Sequence, residues 1–259
     1  MADKFIWYEL MTTDRDAALD FYKVVVGWTS EIHPNSTPDG MRYDVLSAAG
    51  RGIGGVLQLT DEMRSGGARP GWVGYVDVAD TDAKAKAAAA AGGSILMGPD
   101  DIPNVGRFAM LADPGGAPFY LLTPSPQEGE AVPLDPEAPG AVSWHELYSS
   151  SGEKAAFDFY SGLFGWQTIT EMPMGEMGSY RIFGDGDVQL GGMMDKPPNV
   201  PASAWSFYIN VDGIDAAVDR VKAKGGQIVV EPHEVPGGSW IIQGIDPQGA
   251  HFALVSQTR

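Results

Sequence analysis

The stretch WYELMTTDRDAALDFY at residues 7–22 returns as WHELYSSSGEKAAFDFY at 144–160. The match continues: Gly27-Trp28 follows the first copy and Gly165-Trp166 the second. The offset is 137 at Trp7 and Trp144 and 138 at Phe21 and Phe159, so one residue is inserted in the turn before the helix. Downstream, Trp72 matches Trp205, Asp82 matches Asp215, Gly92-Gly93 matches Gly225-Gly226, and ADPGGAPFYLL matches IDPQGAHFALV, all at an offset of 133. A constant offset held this long means a duplicated half of roughly 120 residues, an ordinary domain length. Between the halves runs TPSPQEGEAVPLDPEAPG, whose Pro, Gly and acidic content reads as a linker over 125–140.

Each half alternates its periods. Residues 5–11 alternate as a strand. Ala18, Phe21, Tyr22 and Val25 then recur at helical spacing, with Asp14 as N-cap and Gly27 as stop. Short strands are expected near 42–48 and 52–59. WVGYVDV is another strand, and TDAKAKAAAAAGG is a helix capped by Asp80 or Thr81 and ended by Gly92. Strands near 94–97, 107–111 and 117–122 follow, the last two joined by the turn Asp113-Pro114-Gly115-Gly116. The pattern strand, helix, strands therefore occurs four times.

Bulk properties exclude several roles. There are no cysteines, so disulfides, zinc-thiolate sites and thiol nucleophiles are out. A net charge of −17 repels phosphate backbones and anionic lipid, which argues against nucleic-acid and membrane partners. MADKFIWYEL lacks the basic and apolar regions of a signal peptide, and no apolar run approaches a bilayer span; a cytoplasmic protein is expected.

A strand, a helix ending in FY-x4-GW, short strands, a second strand-helix unit and a closing D-P-x-G-A-x-F hairpin resemble the vicinal-oxygen-chelate superfamily. That superfamily includes glyoxalases, bleomycin-resistance proteins and extradiol dioxygenases. The resemblance implies an α+β chain of four βαβββ modules paired into two glyoxalase-like domains, with curved mixed sheets and helices outside. The first domain would span 1–124 (modules about 4–60 and 70–124) and the second 141–259 (modules about 141–196 and 203–257). Such a fold hosts many reactions, so function rests on the site.

The resemblance also implies positions for a divalent ion, held by His, Gln or Glu of the first and last module strands. The closing-strand Glu would fall at Tyr120 and Ala253. The other positions fall at Trp7, at Trp72 or Val73, at Trp144 or His145, and at Trp205 or Ser206, with Gln58 and Asp195 on the module-closing strands. The donors are too few, so no metal ligand is assigned and no cofactor is expected. The second cup keeps His145, Glu146, Asp195 and His251 as polar groups; a meeting of His145, Glu146 and His251 would make a poor divalent site there, but adjacent His145 and Glu146 point to opposite strand faces and cannot both serve one ion.

Alternation places Trp7 with Glu9 and Trp144 with Glu146 on one face. Tyr8 with Leu10 and His145 with Leu147 fall on the other, against the helix, each polar tip bonded to backbone. A mid-strand carboxylate is costly unless paired or used. Glu9 and Glu146 either bridge to Arg42 and Arg181 or serve a small molecule as anchor, Glu146 being the candidate general base. Trp7, Trp72, Trp144 and Trp205 either pack the rim or line an aromatic pocket, with Tyr120 and His251 as further ligand contacts. His33 and His233 are expected in solvated loops, and Arg107 becomes Trp240, so the halves have diverged.

Three functions fit. The preferred one is a small-molecule-binding relative lacking the full metal site. The others are a metal-dependent glyoxalase-like lyase or dioxygenase acting in the second cup, and a protein-interaction scaffold with vestigial cups. The fused halves also predict a monomer.

Overall fold

A computed structural model of the chain describes residues 3–34, 36, 42–126 and 134–259. Its elements form four βαβββ modules, so the chain is α+β. Module 1 comprises β1 (Phe5–Thr12), α1 (Arg15–Val25), β2 (Thr29–Ile32), β3 (Tyr43–Ala48) and β4 (Arg51–Gln58). A short helix α2 (Asp61–Ser65), which no periodicity announces, leads to module 2: β5 (Gly71–Asp77), α3 (Thr81–Ala90), β6 (Ser94–Ile102), β7 (Gly106–Ala112) and β8 (Pro118–Pro124). Module 3 is β9 (Val142–Ser149), α4 (Glu153–Phe164), β10 (Gln167–Pro173), β11 (Ser179–Asp185) and β12 (Val188–Asp195). Module 4 is β13 (Ala204–Asn210), α5 (Ile214–Ala223), β14 (Gln227–Glu234), β15 (Trp240–Ile245) and β16 (His251–Ser256).

Within each module the strands follow one order: β2-β3-β4-β1, β5-β8-β7-β6, β10-β11-β12-β9 and β13-β16-β15-β14. First and last strands of each module run parallel, and the other neighbouring pairs within it are antiparallel. In the first half, α1 and α3 start where short polar side chains satisfy their open N–H groups, whereas α4 and α5 start at Gly152 and Gly213. Asp14 accepts from Ala17 N and Asp80 from Ala83 N.

Contacts group the chain into two compact units, each drawing one module from each half of the sequence. The unit of modules 1 and 4 (7–72, 134–143, 206–259) has its helices facing one another. Ala18, Phe21, Tyr22 and Val25 of α1 meet Ile214, Ala217, Val218 and Val221 of α5, sandwiched between Leu10 and Val56 on one side and Ile209 and Leu254 on the other. The larger of these, Phe21, Val25, Ile214 and Val221 among them, each contribute about 1.5–3 kcal/mol on burial, so this shared core stabilises the pairing of modules. The Phe21 ring lies 5.6 Å from Phe252, and a Cβ at Gly226 would come within 2.9 Å of it. That glycine gives the ring its seat.

The unit of modules 2 and 3 (3–6, 73–126, 144–205) repeats the arrangement. Phe159 of α4 meets Phe119, and a Cβ at Gly93 would lie 3.1 Å from it. The repeated FY and GG words are thus the two sides of one joint between halves. So is the D-P-x-G turn. Tyr22 donates to Asp246 (3.2 Å) and accepts from Trp72 (3.0 Å); Tyr160 donates to Asp113 (3.3 Å) and accepts from Trp205 (2.9 Å).

Residues 127–133 of the expected linker lie outside the described residues, but 134–140 do not behave as an unpacked tether. Leu134 packs on the module 1 and 4 core, and Asn210 holds the carbonyls of Pro136 and Ala138. The Gly140 carbonyl accepts from Trp28 Nε1 at 2.9 Å; with φ of +85° and Trp28 and Ala48 within 2.9 Å of any Cβ, that position demands glycine. A buried indole N–H needing a partner is the reason this Pro-rich segment docks. Among the described residues no helix is long and apolar enough to cross a membrane.

Candidate functional site

The site is clearest in module 3. On β9, Glu146 lies opposite Gly192 of β12, and Met193 lies opposite Leu147. Leu147 is fully buried, so the Trp144–Glu146 face is the one turned away from the helix, as alternation predicts. Trp144 Nε1 donates to the Tyr180 hydroxyl (2.9 Å), and that hydroxyl donates to Glu146 Oε1 (3.0 Å). An indole N–H can only donate, so the tyrosine proton points at the carboxylate. Tyr180 lies flat across Gly192, where any Cβ would coincide with its hydroxyl. Burial, with the Glu146 charge next, pushes the Tyr180 phenol far above its ordinary range, so it stays a donor.

Module 1 repeats the parts. Trp7 Nε1 donates to the Tyr43 hydroxyl (2.9 Å), Glu9 lies opposite Gly55, and Tyr43 lies across Gly55. Tyr43 and Tyr180 escaped the sequence reading. Their signal was present: they recur at the same offset of 137 as Trp7 and Trp144.

Other predicted positions are placed as follows. Arg42 and Arg181 are committed elsewhere than Glu9 and Glu146. Arg42 holds Asp44 at 2.7 Å, while Arg181 holds Glu153 and, at 2.5 Å, Glu171. Arg181 lies on the helix-facing side, opposite fully buried Met193, and Arg42 reaches Asp16 of α1 at 3.8 Å. Gln58 and Asp195 serve as helix caps, accepting from Arg15 N (3.4 Å) and Glu153 N (2.6 Å). Trp205 is buried among Tyr160, Trp166 and Phe183, and Trp72 packs on Tyr22 and Trp28, so packing describes both.

Tyr120 is buried and stacked on Tyr75 at 4.1 Å. Ala253 is buried beside Tyr208, whose hydroxyl accepts from Gln243 at 2.8 Å. His251 opens β16 and is exposed. His233 lies in β14 rather than in a loop, exposed, because the strand runs through its proline. His145 is buried, stacks on Phe5 at 4.7 Å and donates from Nδ1 to the Leu190 carbonyl at 2.6 Å. Burial lowers its pKa to about 4, so it is a neutral packing residue.

The model of the Glyoxalase/Bleomycin resistance protein/Dioxygenase superfamily matches residues 4–121 and 151–254. The chain belongs to that superfamily. Among curated relatives of this superfamily member, "Putative glyoxylase CFP32" of Mycobacterium tuberculosis is 30% identical, covering 96% of this chain and 93% of the relative. The anthracycline biosynthesis protein DnrV of Streptomyces peucetius is 31% identical, covering 96% and 91%. Among solved structures, the Mn(II)-bound glyoxalase from Novosphingobium aromaticivorans superposes with a TM-score of 0.67 at 16% identity, covering all of this chain and 84% of that one. At that identity the likeness establishes the fold alone.

A divalent ion such as the superfamily's needs several converging nitrogen or oxygen donors. Among the described residues no group of three or more His, Cys, Asp or Glu side chains could hold a metal ion. Tyr120 and Ala253 offer no carboxylate, and Asp195 is occupied with a helix end. The donor set does not fit the group.

Proposed function

We propose that this superfamily member binds a small organic molecule on the module 3 strand face, without a metal centre, and that Glu146 is its polar anchor. The observation carrying this reading is the ordered chain Trp144 to Tyr180 to Glu146 on the face turned from the core. It presents an aromatic wall and one carboxylate, the usual composition of a small-ligand site. A buried carboxylate held this way is expensive, and its upkeep is explained if a ligand uses it. Relatives named for anthracycline biosynthesis support an organic ligand. The reading carries with it a monomer, since each compact unit already contains a module from each half, and we propose the cytoplasm as its location.

The test joins metal analysis of purified protein to a thermal-shift screen of small molecules. The expected outcome is sub-stoichiometric metal and at least one compound whose stabilisation grows with concentration, reaching about 2.7 kcal/mol at a hundredfold excess over Kd. Stoichiometric nickel, zinc, manganese or iron that is lost in Glu146→Gln would overturn it in favour of a metal-dependent enzyme. Failure of every compound, together with a stable protein complex on the same face, would favour a scaffold.

A further inference from the structure

We propose that the β10–β11 hairpin of module 3 holds one soft monovalent metal ion, of the Cu(I) class, between the thioethers of Met172, Met174 and Met177. The three stand in the run Met-Pro-Met-Gly-Glu-Met, so three of the chain's eleven methionines fall within six residues. At the repeat's offset of 137 the first half has Asn35, Thr37 and Gly40 in their place. The cluster therefore belongs to the second half alone and is no part of what the duplicated fold requires.

The backbone brings the three together. Strand β10 ends at Pro173, and Met174 N donates to the Gly178 carbonyl at 2.8 Å, which closes the hairpin. Inside it, Met177 N donates to the Met174 carbonyl at 3.2 Å, forming a single 3-10 turn over Gly175–Met177. Side chains three apart on such a turn eclipse one another, and a rise of ~2.0 Å per residue puts their α-carbons about 6 Å apart. Met172 stands two residues earlier, at most about 7 Å away along the chain. It is half-buried opposite Tyr180, whereas Met174 and Met177 are 36% and 52% exposed. An unbranched thioether with three rotatable bonds can swing onto a shared point from such anchors.

The donor chemistry selects the ion. Thioether sulfur is soft and prefers Cu(I) to hard ions. The chain has no cysteine, so thioethers are its only soft donors, and its four histidines stand elsewhere, at 33, 145, 233 and 251. Zn(II) takes thiolate, imidazole and carboxylate ligands, so a trio of thioethers excludes it. The site is thus different in kind from a divalent centre of nitrogen and oxygen donors. Thioethers are neutral, so the ion keeps its full charge. The net charge of −17, with exposed Glu176 inside the turn, favours a cation there. Neutral donors also hold an ion more loosely than thiolates, which agrees with sub-stoichiometric metal in purified protein.

The experiment is titration of the full chain, labelled with carbon-13 at the methionine methyls, with Ag(I) in chloride-free buffer and separately with Zn(II). The methyl signals are assigned by single Met→Leu variants, since leucine keeps size and apolarity but has no sulfur. The expected result is that the signals of Met172, Met174 and Met177 shift together and saturate at one equivalent of Ag(I), while Zn(II) moves none of them. Met174→Leu combined with Met177→Leu should weaken Ag(I) binding at least about tenfold, as loss of metal-site contacts does, with the melting curve unchanged. Supplied anaerobically on a chromogenic Cu(I) chelator, Cu(I) should pass to the wild type and stay on the chelator with the double variant. Ag(I) binding unmoved in the double variant, shifts confined to a single methionine, or shifts seen only at other methionines or at histidine rings would each overturn the proposal. Should the double variant fail to fold, Met177→Leu alone, at the most exposed of the three, is read in the same way.

Discussion

A histidine shut away from water titrates late. His145 is 8% exposed, and burial lowers its pKa from 6.5 to about 4. Its folded pKa lies below its unfolded one, so between these values the unfolded chain binds the extra proton. Stability must therefore rise with pH through that window: present in full above about 6.5, and lost as pH falls towards 4. The slope is about 1.4 kcal/mol per pH unit, and the total is on the order of 3 kcal/mol. Asp113 and Asp246, raised chiefly by burial, act with the opposite sign, so the histidine is isolated by difference. His145→Tyr, which copies Tyr8, should lose this slope relative to wild type in urea unfolding at a series of pH values. A parallel pair of curves would refute it. Strand alternation made the inward face of His145 legible in the sequence. It did not reveal Tyr180, because a residue two strands away enters the site only through sheet register.

At the scale of elements, the two halves hold corresponding helices and strands together with charges exchanged. In module 1, Arg15 at the start of α1 pairs with Asp44 of β3 at 3.2 Å. In module 3 the same positions carry Glu153 at the start of α4 and Arg181 of β11, also paired. The offsets, 138 and 137, are those of the repeat. Geometry is thus kept while polarity is free, provided the buried partners remain opposite in sign. Glu153→Arg alone should cost roughly 3–5 kcal/mol, since it leaves cations facing each other where Glu153 is 7% exposed. Adding Arg181→Asp recreates the module 1 arrangement and should recover most of the loss. A double-mutant cycle by denaturant unfolding reads this; additive losses would show that the pair is not coupled. The helices and their aspartate caps were legible because their signals are local. The arginines' true partners were not, since Arg181 could be assigned to Glu146 until the strand faces were known. Nor was the docking of residues 134–140, which depends on Trp28, more than a hundred positions away.

For the whole molecule, the repeated words FY, GG and D-P-x-G explain one another only across the duplication. Phe21 needs Gly226 and Tyr22 needs Asp246; Phe159 needs Gly93 and Tyr160 needs Asp113. Each half therefore carries one set of side chains and one set of receptors, and neither half can satisfy its own within a single compact unit. A chain ending at 126 would expose the α1 face with Phe21, Tyr22 and Val25 in water, and would leave the Tyr22 hydroxyl without Asp246. The same half also holds Gly93 and Asp113, the receptors that Phe21 and Tyr22 would find in a second copy. Residues 1–126 and 134–259 produced separately should give no folded monomer: each should be unfolded or a homodimer. Mixed and refolded, they should form a one-to-one complex that melts cooperatively. Light scattering with circular dichroism distinguishes these outcomes. A half that stays monomeric at micromolar concentration and melts cooperatively would show that the joint is dispensable, and that the repeated words hold each half together rather than one half to the other.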